Sequence, residues 1–418
     1  MQVKNSQGLE FTAASDASVS QFEGVTTAYM GLRRDIGQRL EALSKADPEM
    51  PMTLCLQGYF SRLMASPRAS ERAIKLSARL QQLLQHGDAN PREKMHGSAL
   101  ESWNRGDMLS AVRIWEQILS EYPCDGIALR LAQFAHFYVG DTAELRDSVK
   151  RALPHWAEDH PDYHNVLGMY AFGLEECGDY AEAEKAGRAA ALFNPEDAWS
   201  VHAVAHVFEM THRVDEGIEW VQSLEADWTE VNNFRFHLYW HLALYYMAQE
   251  NYEAVLSLYD THVKPAEDTL FYLDTCNATS LLWRLELRGV DVGNRWEHLA
   301  AMAIGHSEDR ELVFVNLHYL LPLLATNDRD GVQRVLLNLE DWSCLEGTQA
   351  TVCRDVALDL AKTLAALRRG TGTGSGIGSG NGSHAWLDNK RAQLQQSVYR
   401  IGGSHAQHKV FLESLLPH

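Results

Sequence analysis

The sequence predicts an all-α chain: a solenoid of stacked antiparallel helix pairs. Three observations carry this. A turn-and-packing pattern recurs at a near-constant interval, strand signals are nearly absent, and hydrophobic residues make up 45% of 418 residues, enough to bury a core. A chain of this length is long for one compact core and suits a repeat array, in which each unit buries its apolar face against the next.

The pattern is read from spacing. In the stretch from Gly106 to Pro123, Ala111, Trp115 and Ile118 follow the glycine, and Ala183, Gly187 and Ala190 follow Gly178 at the same intervals before Pro195. Gly140, Leu145, Val149 and Ala152 repeat all but the proline, and Gly31, Ile36, Leu40, Leu43 and Pro48 fit near the start. A glycine lets the chain reverse between two helices, small or apolar residues let the second helix pack closely, and proline ends it. Turn positions fall at Gly106, Gly140, Gly178, His212 and Glu250, spaced by 34 to 38 residues, the tetratricopeptide period. The last two carry no glycine.

Residues 1–90 read as a helical segment with a weak repeat, and 91–369 as a tetratricopeptide-like solenoid with apolar runs at 280–289 and 312–325. Residues 370–383 are a Gly/Ser-rich linker. Residues 384–418 read as capping helices broken at Gly402-Gly403, able to dock back on the end of the array.

Composition narrows the function. With 37 Lys+Arg against 56 Asp+Glu, the formal charge is −19, which disfavours nucleic acid and anionic membrane as partners. The six cysteines are scattered without a C-x-x-C pair, so neither a disulfide framework nor a zinc knuckle is expected. No apolar run reaches membrane-spanning length, and Met1–Ser20 has no leader-like apolar stretch, so the cytoplasm is the expected compartment. No nucleophile elbow or dinucleotide fingerprint is found, and the glycine-rich stretch lacks the ending of a phosphate-binding loop. Trp115, Trp199, Trp220, Trp240 and Trp283 read as core packing, Arg284 and Glu286 as an inter-helix ion pair, and Ser404 as a helix cap.

Several long strings resemble the tetratricopeptide repeat protein 38 family: LGMYAFGLEECGDYAEAE (167–184), DAWSVHAVAHVFEMTHRVDEGIEW (197–220), FRFHLYWHLAL (234–244), SLLWRLELRGVDVGNRW (280–296) and IGGSHAQHKVF (401–411). The resemblance covers roughly 90–418 apart from the glycine-rich insertion. It implies the fold and no particular reaction. It also implies that the first helix of each pair lines a concave groove, with the second, fifth, ninth and twelfth positions of a unit facing inward. That register presents His202, His206 and Glu209 from one unit and His237, His241 and Tyr245 from the next. The unit turning at Gly178 adds Phe172 and Glu175, with His164 at its start. Arg130 and Phe134 flank the groove on one side and His318 on the other.

Helical periodicity independently puts each H-x-x-x-H pair on one face. Three functions compete. The leading expectation is a pocket for a small, anionic or hydrogen-bonding molecule, possibly transformed by acid–base chemistry, since histidine exchanges a proton near neutral pH. In it His202, His206, His237 and His241 act with Glu175 and Glu209, the latter fixing a tautomer, while Phe172 and Tyr245 shape the walls. The first alternative is an adaptor gripping a partner peptide, although its groove lacks the usual Lys, Arg and Asn. The second is a metal-dependent enzyme using the paired histidines. Against metal, neighbouring first helices run roughly 10 Å apart, so four rings need not reach one ion. No metal ligand is assigned, no cofactor is named, and the structural alternative remains that the histidines merely fill the inner face.

Overall fold

The structure is a computed structural model that describes residues 1–87, 89–228, 230–371 and 381–416. It opens with a departure from the all-helical expectation: β1 (Gln2–Lys4) and β2 (Glu10–Thr12) form a short antiparallel hairpin. Phe11 and Val3 bury one side of it, and Glu93 accepts hydrogen bonds from the Thr12 backbone and hydroxyl.

Helices follow in pairs: α1 (Asp16–Met30) with α2 (Ile36–Ala46), α3 (Pro51–Leu63) with α4 (Pro67–His86), α5 (Pro91–Asn104) with α6 (Met108–Glu121), α7 (Gly126–Val139) with α8 (Thr142–Ala152), and α9 (Tyr163–Glu176) with α10 (Tyr180–Phe193). Then come α11 (Ala198–Met210) with α12 (Val214–Ser223), α13 (Phe234–Ala248) with α14 (Tyr252–Leu258), α15 (Tyr272–Leu287) with α16 (Arg295–Gly305), and α17 (Val313–Ala325) with α18 (Arg329–Ser343). The chain is therefore an all-α, tetratricopeptide-like solenoid of antiparallel helix pairs. The capping chemistry is repetitive: Asp107, Asp141, Asn251 and Asp328 each accept a backbone N–H three residues on, at the start of the second helix of a pair.

Every pair turns through the left-handed region, at Leu32, Ala65, Gly106, Gly140, Gly178, His212, Glu250, Gly289 and Asn327, with Gly293 a second such residue in the α15–α16 connection. His212 and Glu250 adopt φ of 58° without being glycine. The first turn falls at Leu32, one residue after the expected Gly31, which itself keeps φ of −85°.

Two compact units are formed, one from Met1–Phe137 and Asp141–Tyr245, the other from Tyr138–Gly140 and Tyr246–His418. In the first, α9 packs on α8, α10 and α11. Small residues make this approach feasible: a Cβ on Gly187 would lie 2.6 Å from the Val204 side chain, and one on Gly173 would lie 2.6 Å from the Arg146 Cα. In the second, α15 packs on α16, α17 and the C-terminal helix α22 (His405–Ser414), reached through α19 (Thr348–Val352), α20 (Leu358–Thr371) and α21 (Asn381–Ser397). Ser404 caps α22 in a reciprocal capping box with Gln407. Arg284 and Glu286 do not form one couple: Arg284 donates to the Ala406 carbonyl at 2.7 Å, while Glu286 pairs with Arg368 and accepts from Trp296. The expected linker 370–383 falls largely on 372–380, outside the described residues. Among the described residues no helix is long and apolar enough to cross a membrane.

Candidate functional site

Helices α11 and α13 are the first helices of consecutive pairs, and each carries histidines one helical turn apart. The i, i+4 spacing places His202 above His206 and His237 above His241. All four are buried, at 0 to 3% exposure. The Nε2 atom of His202 lies 2.9 Å from Nε2 of His206 and 3.1 Å from Nε2 of His237. Ring centroids of His206 and His241 are 4.4 Å apart, and those of His202 and His241 are 5.1 Å apart. One nitrogen from each of the four rings lies within 4.8 Å of the other three. The expected 10 Å obstacle therefore does not hold: imidazole stems reaching inward from both helices close the gap.

Carboxylates stand behind the rings. His241 Nδ1 donates to Glu209 Oε2 at 3.1 Å, a hydrogen bond that fixes which nitrogen faces the centre. Behind His206, Nδ1 lies 3.5 Å from Glu175 Oε2 and 3.9 Å from Glu176 Oε1, both beyond good hydrogen-bond length. Aromatic rings make the walls. His237 stacks on Trp240 with planes 14° apart, and His202 sits among Phe172, Trp199 and Phe234. Tyr245 donates its hydroxyl to the Ala205 carbonyl, and its ring fills the space that a side chain at Gly217 would need. Arg130 lies under this wall, its guanidinium 4.1 Å from the Trp199 ring centre and 4.9 Å from that of Phe134.

Burial governs the electrostatics. Loss of water, reinforced by the three neighbouring histidines, holds His202 well below the ordinary imidazole range, so it is neutral. Burial together with Glu176 and Glu209 pushes Glu175 well above the carboxylate range. Burial lowers Arg130 to about 10 and raises Asp197 to about 6.

The structure brings together the four histidines with Glu175, Glu209 and Phe172. Tyr245 borders them, and Arg130 with Phe134 adjoins through Trp199. His164 lies apart from the four rings, stacked on Phe193 beside Asn194. His318 belongs to the second unit, where its Nδ1 donates to the Phe314 carbonyl at 2.8 Å and its ring meets Phe411. Sequence reasoning missed Glu176, because a residue next to Glu175 should point about 100° away on a helix, yet an oxygen of each comes within 3.9 Å of His206 Nδ1. It also took Trp199 and Trp240 for core packing alone, although they lie three residues from His202 and His237 along the helix, where a ring can cover its neighbour.

Comparison with known protein families finds none that matches this chain. Among solved structures, the chain is similar to the human IFIT1 dimer with PPP-AAAA, at 12% identity and TM-score 0.40 over 97% of this chain and 95% of that one. It is also similar to Naa15/Naa10 bound to HypK-THB, at 11% identity and TM-score 0.27 over 92% of this chain and 75% of that one.

Proposed function

We propose that the chain is a metal-binding helical-repeat protein in which His202, His206, His237 and His241 hold one first-row transition ion. The observation that carries this is the double approach to His202 Nε2, by His206 at 2.9 Å and by His237 at 3.1 Å. A ring nitrogen has one direction in its plane, used either by a proton or by a lone pair. It can therefore make one strong N–H···N bond, and the second close nitrogen is left opposed. A cation at the centre satisfies every lone pair at once. With Zn–N bonds of about 2.0–2.1 Å, tetrahedral nitrogens stand roughly 3.3 Å apart, close to the two separations at His202, and all four rings offer a nitrogen within 4.8 Å of the others.

Imidazole-only coordination suits Zn, Cu, Fe or Ni, and a closed set of four in a dry core suits zinc. The rings fill the space between the helices, so an organic molecule among them, the leading expectation from the sequence, is less well supported than an ion. Such an ion would clip α11 to α13. Elemental analysis of protein purified without added chelator tests the idea: at least one ion per chain is expected, with the ion of the four-histidine site lost in His202→Ala/His241→Ala. Glu209→Gln should retain the ion while weakening its affinity roughly 10- to 100-fold, because the residue only orients His241. Metal-free protein that takes up no added Zn²⁺ would refute the site.

A small anionic ligand remains as a second reading, moved from the histidines to Arg130. Its side chain is 1% exposed, and its Nε and Nη2 make no hydrogen bond within the chain. A buried guanidinium with two unbonded nitrogens is costly even with Asp197 nearby, and a carboxylate or phosphate would offset that cost. Succinate or inorganic phosphate should raise the melting temperature of the wild type and not of Arg130→Met. Equal shifts in both would exclude Arg130. A peptide's terminal carboxylate would use the same chemistry, which is the form the adaptor alternative takes. The strings quoted above support assigning the chain to the tetratricopeptide repeat protein 38 family.

A further inference from the structure

We infer that a second metal ion binds beside the first, held by Glu175, Glu176 and Nδ1 of His206, so that the His206 ring bridges the two ions. This rests on the four-histidine metal reading and extends it from α11 and α13 to α9.

Distance is the first argument. The Nδ1–oxygen separations of 3.5 and 3.9 Å are too long for the charge-assisted hydrogen bond a carboxylate behind an imidazole normally makes, about 2.7–2.9 Å. They are near what two ligands of one ion show: bonds of roughly 2.0–2.2 Å to nitrogen and oxygen, opened to a tetrahedral or wider angle, set the donors about 3.3–3.8 Å apart. Glu209 and His241 provide an internal control, because at 3.1 Å that pair is drawn in as a hydrogen bond.

Burial is the second argument. Glu175 is 0% exposed and Glu176 is 3% exposed, and a ligand atom from each lies within 4.8 Å of one from His206. The Glu175 carboxyl stands against that of Glu176, and both charged side chains that raise it, Glu176 and Glu209, are acidic. Two acids brought together out of water are met either by a shared proton, which the raised Glu175 carboxyl holds in the metal-free protein, or by a cation between them. A dication there does the second, and the ring turns Nδ1 toward it while Nε2 faces the histidine centre.

The charges balance. Two dications give four positive charges; the carboxylates of Glu175, Glu176 and Glu209 give three negative ones, and the bridging imidazolate gives the fourth. Binding of the second ion releases two protons to solvent, the Nδ1 proton of His206 and the one that Glu175 holds in the metal-free protein. The two ions also differ in kind. The first has four protein ligands and is closed; the second has three and keeps a position for water, which is the pattern of zinc sites that do chemistry.

Metal-free protein titrated with Zn²⁺ against a chromophoric chelator, with atomic emission as an independent count, tests this. Two equivalents are expected for the wild type and one for Glu175→Gln/Glu176→Gln, whose circular dichroism should match the wild type. Copper(II) supplies the spectroscopic check. The first equivalent should give a paramagnetic resonance signal that falls as the second enters, because an imidazolate bridge couples the two spins; the Gln variant should keep its signal. One equivalent in both proteins overturns the second site and leaves the first. Two equivalents in both place the extra ion elsewhere and overturn it as well. None in the wild type overturns both readings.

Discussion

A histidine far from water loses its proton more readily than one in solvent, and His318 shows the consequence at the scale of one side chain. Burial brings it down to about 3, with Arg284 and His408 facing it as further positive groups and only the Phe314 carbonyl working the other way. In the unfolded chain the ring should titrate near 6.5. Between these values the unfolded state binds more protons, so stability is full above about pH 6.5 and is lost as pH falls toward 3. At pH 5 the loss from this residue is about 2 kcal/mol relative to pH 7.5. Urea unfolding of metal-free protein at both pH values should show it, and His318→Gln should flatten the difference by that amount. An unchanged pH dependence in the variant would mean that other groups carry the acid sensitivity. The sequence allowed a reading of His318 as a histidine near the groove, yet its environment is set by Phe411 and the Phe314 carbonyl, one brought in by a distant helix. Intervals along a helix predict which residues share a face; they do not say what a helix a hundred residues away will lay on that face.

Turns rather than residues made the helix pairs legible. The glycine series predicted reversals at Gly106, Gly140 and Gly178, and position alone extended it to His212 and Glu250, where φ is positive despite the side chain. A left-handed non-glycine residue costs about 1–2 kcal/mol, which the flanking helices must outweigh. Two substitutions follow. Gly178→Ala should lower stability by about 1–2 kcal/mol through backbone strain alone, because a Cβ there meets nothing within 4 Å. His212→Gly should raise stability by about 0.5–1 kcal/mol, the relieved strain less the entropy that glycine loses on folding. Chemical denaturation checks both, and a loss of stability in His212→Gly would show that the exposed imidazole contributes more than its backbone costs. The same logic explains what escaped notice. Gly289 and Asn327 continue the series, but the apolar runs around them hold a longer connection at Val290–Asn294 and a proline inside α17, which blur the spacing. The β1–β2 hairpin has three residues per strand, too few for alternation to be read.

At the scale of the whole molecule, the two units differ in what holds them together. The unit of Met1–Phe137 and Asp141–Tyr245 contains all four clustered histidines and the three acidic residues behind them. The other is held by aliphatic burial and by the docking of α22 on α15 through Trp283, Arg284 and Ser414. An ion that binds only folded protein stabilises it by RT ln(1 + [L]/Kd), about 4 kcal/mol at a thousandfold excess over Kd. The proposed site lies within the histidine-bearing unit. Scanning calorimetry of the full chain, with Zn²⁺ and with chelator, should therefore resolve a transition that moves by on the order of 10 °C and another that stays within a degree or two. Trp283 Nε1 donates to Ser414 at 2.7 Å, so Ser414→Ala should shift the second transition and leave the metal-dependent one in place. If both transitions followed zinc equally, the clip between α11 and α13 would be stabilising the whole chain as one cooperative body, and the stability of α15 and α22 would depend on imidazoles that lie in a different unit.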